Sequence, residues 1–148
     1  PWGILLLFGG GLSLAAGLQS VGAIDIVGDV IASNLTVSLL VMIIGLATLS
    51  LFATEIMSNV ALVTVLIPVV FGISDQLGVN PFELTLPVVL AASCAFMMPI
   101  STPPNAVVYS SGQIKIKQMM RVGFVLNIAT IVLLSSLVYW LVPLVFLN

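Results

Sequence analysis

Residues 92–108 read ASCAFMMPISTPPNAVV, and this stretch decides the fold. It lies inside an uncharged, largely apolar run over 84–114, which is long enough to cross a membrane, since a hydrocarbon core about 30 Å thick takes about 20 helical residues. The three prolines of the stretch cannot continue a helix, because each lacks a backbone N–H and clashes with the preceding turn. The sequence therefore predicts a transmembrane helix over 82–114 that opens at 99–105 and then restarts.

The rest of the chain has the same composition. Of its 148 residues, 61% are hydrophobic and 5% are charged, against about 25% charged residues in an ordinary soluble domain. A soluble domain of this length needs far more polar surface, so the sequence predicts an all-α integral membrane protein. The chain begins with Pro1 and has no basic residue before its first apolar run, and we interpret it as a fragment without a signal peptide.

Composition also excludes several classes of function. The chain has no His, which excludes His-containing catalytic triads and His metal sites, and Cys94 is its only cysteine. Its eight charged residues, with a net charge of −2, are too few for a nucleic-acid interface. Asp25 and Asp29 are interpreted as a solvated helix face, and not as a catalytic dyad. We expect no enzymatic activity and no organic cofactor.

Three further segments precede the last helix. Residues 1–20 form a predicted transmembrane helix, in which the glycines at 9–11 allow close approach of another backbone. Residues 21–33 have apolar side chains at helical spacing and two Asp residues on another face, which predicts a short helix on the membrane surface.

Residues 34–72 require a break. As one helix they would be about 57 Å long at 1.5 Å per residue, nearly twice the thickness of the core. The polar cluster at 54–59 marks the break, and the arm at 60–71, about 18 Å long, is too short to span. We therefore predict a re-entrant hairpin with its tip at Ser58-Asn59, followed by a surface loop at 72–81.

The last predicted transmembrane helix covers residues 120–147. All three basic residues of the chain lie within 115–121, and the positive-inside rule places that connection in the cytoplasm. The hairpin then enters from the external side, the helix at 21–33 lies outside, and the C-terminus is external.

The two polar breaks suggest a function. Secondary transporters build their sites from discontinuous helices near the membrane midplane, where half-helix N-termini attract anions and unwound carbonyls bind cations. The hydroxyls and carboxamides of these breaks suit a carboxylate and a hard monovalent cation. The alternative is that small polar residues only satisfy helix kinks inside a bundle. The role of Glu55 also has two interpretations. It takes part in transport, by binding a coupling cation or carrying a proton, or it is a buried structural acid.

The stretch at 92–108 resembles the signature of the divalent anion/sodium symporter family, which includes sodium-coupled dicarboxylate, citrate and sulfate transporters. The polar cluster at 54–59 resembles the tip of the second hairpin of that family, and residues 2–11 (WGILLLFGGG) resemble the span before its arm helix. The resemblance implies the second of two inverted repeats of an elevator-type secondary transporter. Residues 1–20 would then belong to a dimeric scaffold, with 21–33 as the arm helix that connects it to the transport domain.

The resemblance also implies a set of site residues. Those that would surround a sodium ion are Thr54, Met57 through its carbonyl, Asn59 and Ser101 through its carbonyl. Those that would face the substrate are Ser58, Asn59, Thr102 and Pro103. The chain departs from the Ser-Asn-Thr tip of the family at Val60, which has the shape of Thr but lacks its hydroxyl.

The function implied is sodium-coupled transport of small divalent anions, with C4-dicarboxylates favoured and this chain supplying one half of the substrate site. The expected partners are Na⁺, the anion, the lipid bilayer of the cell membrane and a second copy of the protein. Two alternatives remain: a carrier of sulfate or another anion with the same fold, and a non-transporting fragment or assembly subunit.

Overall fold

The computed structural model describes residues 2–26, 29 and 38–146. These residues form helices joined by turns and irregular segments, and residues 23–26 make a further helical turn. The long helices are α1 (Trp2–Ser20), α2 (Leu39–Thr54), α3 (Asn59–Leu77), α4 (Pro81–Ala92), α5 (Pro103–Ser110) and α6 (Ile116–Phe146).

Local signals explain where these helices begin and end. Gly22, after α1, and Gly78, after α3, have φ values of 70° and 64°, the left-handed conformation that closes a helix and that Gly adopts without steric cost. The side chain of Asn80 accepts a hydrogen bond from the Phe82 N–H and so caps α4, and Pro81 occupies the first turn, where its missing N–H is not needed.

The buried core lies between α2, α4 and α6, with one contribution from α3. Its aliphatic side chains are 6% exposed or less, and α4 packs against α2, α3 and α6. The core residues are Ile43, Ala47 and Leu51 of α2, Val70 of α3, Leu84, Val88 and Ala91 of α4, and Ile131, Val138 and Val142 of α6.

Gly11 lets α1 approach α3 closely. A Cβ atom at this position would lie 2.5 Å from the carbonyl oxygen of Thr64. That carbonyl has no helical N–H partner four residues later, because Pro68 stands there. Of the three glycines expected to allow close packing, Gly11 does so. Added Cβ atoms at Gly9 and Gly10 would meet nothing within 4 Å in the described part of the chain.

The two arms of the predicted hairpin, α2 and α3, contact each other little, and α4 packs against both of them. The predicted loop from residue 72 is wrong, because α3 continues to Leu77. At 19 residues α3 is about 28 Å long, and both α3 and α6 are long and apolar enough to cross a membrane. The argument that the second arm is too short to span is therefore wrong. The orientation of the later segments does not depend on this point. Whether α2 and α3 both span the membrane or form a re-entrant hairpin, the chain returns to the membrane face from which it entered.

The segment after α1 is only partly described. Residues 23–26 are helical and lie against α3: Ile24 is buried, and Asp25 accepts a hydrogen bond from the side chain of Gln76. Asp25 is exposed, but it is hydrogen bonded to a neighbouring helix and not only to solvent. Residues 21–22, predicted as the start of the arm helix, form a turn, and its positions 27–28 and 30–33 lie outside the described residues.

The opened helix differs from its prediction in position. Its first half, α4, ends at Ala92, whereas the sequence predicted helix up to about Met98. The irregular segment therefore covers 93–102, and not 99–105. The second half, α5, ends at Ser110, and α6 begins at Ile116 instead of residue 120.

Candidate functional site

The connection between α2 and α3, which we call the tip (residues 54–59), is a tight turn. The backbone N–H groups of Ile56 and Met57 both donate to the carbonyl of Ala53, which closes the end of α2. The hydroxyl of Thr54 donates to the side-chain carbonyl of Asn59 at 2.7 Å and so ties the last residue of α2 to the first residue of α3. Thr54 is fully buried, whereas Met57 is half exposed.

The irregular segment at 93–102, which we call the opened segment, is made of turns and non-helical backbone, and its polar groups need partners outside a regular helix. Its carbonyl groups are satisfied from α5: the side-chain amide of Asn105 donates to the carbonyls of Ala95 and Met98 at 3.0 and 3.1 Å. The N–H of Ser101 also donates to the carbonyl of Met98. Asn105, near the start of α5, thus holds the opened segment through the carbonyl groups of that segment.

Three consecutive N–H groups of the opened segment, at residues 96–98, donate to one residue, Glu55 of the tip. Its carboxylate is surrounded by five hydrogen-bond donors and is almost fully buried. Oε1 accepts from Phe96 N (3.0 Å), Met97 N (2.9 Å) and Asn127 Nδ2 (2.8 Å), and Oε2 accepts from Met98 N (3.0 Å) and Ser101 Oγ (2.6 Å).

This arrangement decides between the two interpretations that the sequence left for Glu55. Hydrogen bonds to charged acceptors are shorter and stronger than hydrogen bonds between neutral groups, and each buried N–H without a partner is costly. A carboxylate that accepts from three consecutive amides therefore replaces the helical bonds that the segment has lost. Every neighbour of the carboxylate is a donor. In this structure Glu55 is a buried structural acid that joins the tip, the opened segment and α6.

The residues predicted around sodium come from the two elements that Glu55 joins. Thr54 and Asn59 are hydrogen bonded to each other, and the Ser101 hydroxyl lies 3.1 Å from the backbone carbonyl of Glu55, the neighbour of Thr54. Met57 lies on the tip, with its side chain half exposed. Within the described ranges, no group of three or more His, Cys, Asp or Glu side chains could hold a metal ion, which leaves neutral oxygens as the candidate cation ligands.

The residues predicted to face the substrate stand at the starts of two helices. Ser58 is the N-cap residue of α3, is exposed and makes no side-chain cap hydrogen bond, and Asn59 is the first residue of that helix. Thr102 is the N-cap residue of α5 and Pro103 is its first residue. Val60 is 54% exposed, so its side chain is available for contact at the start of α3.

The start of α5 has no N–H groups to offer a ligand. Pro103 and Pro104 carry none, the Asn105 N–H donates to the Thr102 hydroxyl at 3.4 Å, and the Ala106 N–H donates to the Thr102 carbonyl. The expectation that both half-helix N-termini supply donors to an anion therefore fails for α5.

The start of α3 is different. Among the described residues, the N–H groups of positions 59–61 meet no acceptor, and the Leu62 N–H is the first to bond, to the carbonyl of Ser58. Unpaired N–H groups in the first turn of a helix, together with the positive end of its dipole, form an anion-binding arrangement. The arrangement lies beside the Ser58 hydroxyl.

Sequence reasoning missed two residues of this region, both on α6. Asn127 is fully buried and bonds Glu55, and Gly123, one turn earlier, contacts the opened segment. A signal for Asn127 was present, since it is a carboxamide in the middle of an apolar helix, where polar side chains face the protein interior. Asn105 was placed within the break, but its role in holding two carbonyls was not predicted.

A cavity of about 410 Å³ lies behind the opened segment, between α5 and α6. Its wall is mostly apolar and includes Phe96, Val122 and Leu126, with the carboxamides of Asn105 and Gln118. None of the predicted cation or substrate residues lines it. The candidate site is therefore the surface of the tip and the start of α5, and not this cavity.

The described part of the chain is helical, two of its helices are long and apolar enough to cross a membrane, and a buried carboxylate joins its two helix breaks, which is the class of a helical membrane protein. Residues 1–147 match the family described as sodium:sulfate symporter transmembrane region, and the chain belongs to this family.

Individual relatives are similar over almost the whole chain. A protein of Staphylococcus saprophyticus named sodium-dependent dicarboxylate transporter SdcS is 43% identical over 143 residues, which cover 97% of this chain. The protein of the same name in Staphylococcus aureus strain MRSA252 is 41% identical over 145 residues, or 98% of this chain. In both cases the match covers 28% of the relative, so the chain spans less than a third of the length of these proteins.

Proposed function

We propose that this chain supplies one half of the cation and anion sites of a sodium-coupled carrier for small divalent anions, with C4-dicarboxylates as the favoured substrates. The observation that carries the proposal is the junction of two helix breaks through Glu55, which holds Ser101 of the opened segment against the tip, where the first N–H groups of α3 are unpaired among the described residues. Membership of the sodium:sulfate symporter family and the dicarboxylate relatives support it.

The charges around the site account for coupling to a cation. The one charged group at the junction is the Glu55 carboxylate, and the basic residues of the chain, at 115, 117 and 121, lie in and after the connection to α6. A dianion brought beside a carboxylate in a medium of low dielectric constant is strongly disfavoured unless a positive charge accompanies it. Sodium bound by neutral oxygens at the tip supplies that charge, and substrate and sodium therefore bind together.

The proposed cation ligands are Thr54, Asn59 and the carbonyls of Met57 and Ser101. The substrate carboxylate meets the Ser58 hydroxyl, Asn59 and the first N–H groups of α3, with Thr102 and Pro103 shaping the opposite side. No organic cofactor and no catalytic residue take part in this scheme.

The proposal extends to the arrangement in the membrane. The chain forms one of two inverted repeats in the multi-pass cell-membrane protein, with α1 in a dimeric scaffold and the junction in a domain that moves against it. The connection at 115–121 faces the cytoplasm and the C-terminus is external. The tip at 58–59 is the turn of a re-entrant hairpin and lies within the membrane.

The test is uptake of labelled succinate by the full-length protein that contains this sequence, reconstituted in liposomes. Uptake is expected with an inward Na⁺ gradient and not when choline replaces Na⁺. Uptake that is unchanged without Na⁺ would contradict coupling, and absence of uptake in both conditions would favour a non-transporting assembly subunit.

A sulfate carrier is the second candidate, because the family description names sulfate. Competition separates the two. Excess unlabelled succinate is expected to abolish the labelled uptake while sulfate at the same concentration leaves most of it. The reverse order of potency would assign sulfate as the substrate.

A further inference from the structure

The last helix, α6, makes two contacts with the junction, and neither belongs to the cation or substrate residues proposed above. Asn127 donates its side-chain amide to Glu55 Oε1 at 2.8 Å. One turn earlier, a Cβ atom on Gly123 would overlap the carbonyl oxygen of Phe96 and lie 2.6 Å from Met97 Cα. Residues 123 and 127 are four positions apart and therefore lie on the same face of the helix.

Gly123 sets how near the opened segment can come to α6. The atoms that an added Cβ would meet are backbone atoms of Phe96 and Met97, which cannot turn aside as the end of a flexible side chain can. These two residues also donate two of the amides that Glu55 accepts. The absence of a side chain at 123 thus allows the backbone of residues 96–97 to lie directly on α6, in the position where its amides reach the Glu55 carboxylate.

Asn127 donates to the same carboxylate oxygen as Phe96 and Met97, and this hydrogen bond has a cost. Among the described residues, its side-chain carbonyl oxygen has no hydrogen-bond partner, although the residue is fully buried. A buried polar atom without a partner destabilises the fold, and a Leu of similar volume would avoid that loss. The contribution of Asn127 is therefore directional: it fixes Glu55 in the orientation that reaches residues 96–98.

We propose that Asn127 and Gly123 are positioning residues of the transport site: through Glu55 and by direct contact they hold the opened segment so that the Ser101 carbonyl and Thr102 face the tip. They touch neither ion nor substrate. This inference rests on the proposed function, since it concerns the affinity of the same site for sodium and the anion.

Asn127→Leu in the full-length protein is the primary test. It removes both the donor and the unpaired oxygen and leaves four donors to the Glu55 carboxylate, so the protein is expected to remain folded. The Na⁺ concentration for half-maximal succinate uptake is expected to rise about tenfold, the lower end of the effect seen when groups that orient metal ligands are removed. The matched control is Ser135→Ala, which removes another buried side-chain oxygen of α6 without a partner among the described residues and should leave that concentration unchanged.

Gly123→Ala provides a second variant that keeps every hydrogen-bonding side chain. Ala favours helix more than Gly does, so α6 itself is not weakened, and the expected rise in the half-maximal Na⁺ concentration comes only from displacement of residues 96–97. A Na⁺ dependence within twofold of the wild type in folded Gly123→Ala, or in folded Asn127→Leu, would overturn the proposal.

Hydrogen–deuterium exchange separates this proposal from the proposed function. The amides of residues 96–98 are expected to be protected in the wild type and to exchange at least tenfold faster in both variants, with or without any transport activity. If the wild type shows this exchange pattern but no Na⁺-dependent uptake, the proposed function is contradicted and the hydrogen-bond network of Glu55 is not. Unprotected amides in the wild type would overturn the network itself.

Discussion

The starts of α3 and α5 both begin after a helix break, yet they differ in what they offer a ligand. At α3, Ser58 makes no cap bond and the N–H groups of 59–61 meet no acceptor among the described residues. At α5, two prolines remove donors and Thr102 accepts the next two N–H groups. A helix N-terminus can bind an anion only where its donors are unpaired, so in our proposal the start of α3 supplies donors to the substrate and the start of α5 shapes the opposite side.

The difference also shows what each element does for the other. Because α5 is self-capped, its Asn105 side chain is free to hold the carbonyls of the opened segment, while Glu55 holds the amides of the same segment from the tip. The start of α5 and Glu55 thus both hold the opened segment, whereas the start of α3 keeps N–H groups unpaired among the described residues. Substitutions on the α3 side should therefore cost more transport than substitutions on the α5 side.

The largest effect is expected for Asn59→Ala. The substitution removes the acceptor of the Thr54 hydroxyl and, in our proposal, a group shared by sodium and substrate. Succinate uptake by the full-length protein should be abolished at matched membrane levels. The control is Asn80→Ala, which removes an Asn that caps α4 away from the junction and should retain most uptake. Near-normal uptake by Asn59→Ala would contradict the assignment of donors and ligands to the start of α3.

Glu55→Gln should come next, with uptake lowered about 100-fold. Gln keeps the size of the side chain but presents an amide donor where the N–H groups of the opened segment need an acceptor, and each buried donor left without a partner costs about 1–3 kcal/mol. The junction should therefore loosen and the unfolding temperature should fall.

Glu83→Gln is the matched control for that experiment. Glu83 is another acid that is almost fully buried, in the first turn of α4 outside the junction, where its charge interacts favourably with the helix dipole by about 0.3–1 kcal/mol. Uptake within a fewfold of the wild type is expected. Equal losses of uptake in the two variants would mean that Glu55 has no special role.

Thr102→Ala tests the α5 side and should have a smaller effect. Loss of an N-cap hydroxyl costs about 0.5–2 kcal/mol of helix stability, and the Thr102 contact to the Asn105 N–H is long at 3.4 Å. We expect the KM for succinate to rise about threefold to tenfold, with recovery in Thr102→Ser. An effect as large as that of Asn59→Ala would contradict the proposal that the start of α3 matters more for transport than the start of α5.

Val60→Thr is expected to have the smallest effect, a change of a few fold in substrate affinity. Val60 is exposed at the start of α3, so an added hydroxyl can reach a ligand there without changing the shape of the side chain. Competition by succinate, citrate and sulfate measured in parallel gives the profile. An unchanged profile would place residue 60 outside the substrate contact.

Some of this structure follows from the sequence and some does not. The prolines of 99–104 and the polar residues of 54–59 were enough to predict two helix breaks, because the loss of N–H donors and the cost of polar groups in apolar helices are local properties. The length of the opened segment was not predictable in this way. Helix α4 ends at Ala92 because the amides of 96–98 bond Glu55, about forty positions earlier in the chain.

The same reason explains the error in α3. The sequence predicted a loop from residue 72, yet α3 contains Pro68 and continues to Leu77. Pro68 removes one hydrogen bond, to Thr64, and α1 packs against the carbonyl so released through Gly11. Whether a proline ends a helix thus depends on a partner helix, which local sequence patterns do not reveal. The contact of α6 with the junction was missed for the same reason.

The most direct test of the central claim is calorimetric binding of succinate to the purified full-length protein in Na⁺ and in choline. If the junction binds cation and dianion together, succinate binds measurably only with Na⁺, and succinate raises the affinity for Na⁺ by the same factor by which Na⁺ raises that for succinate. Equal succinate affinity in the two salts would contradict the account.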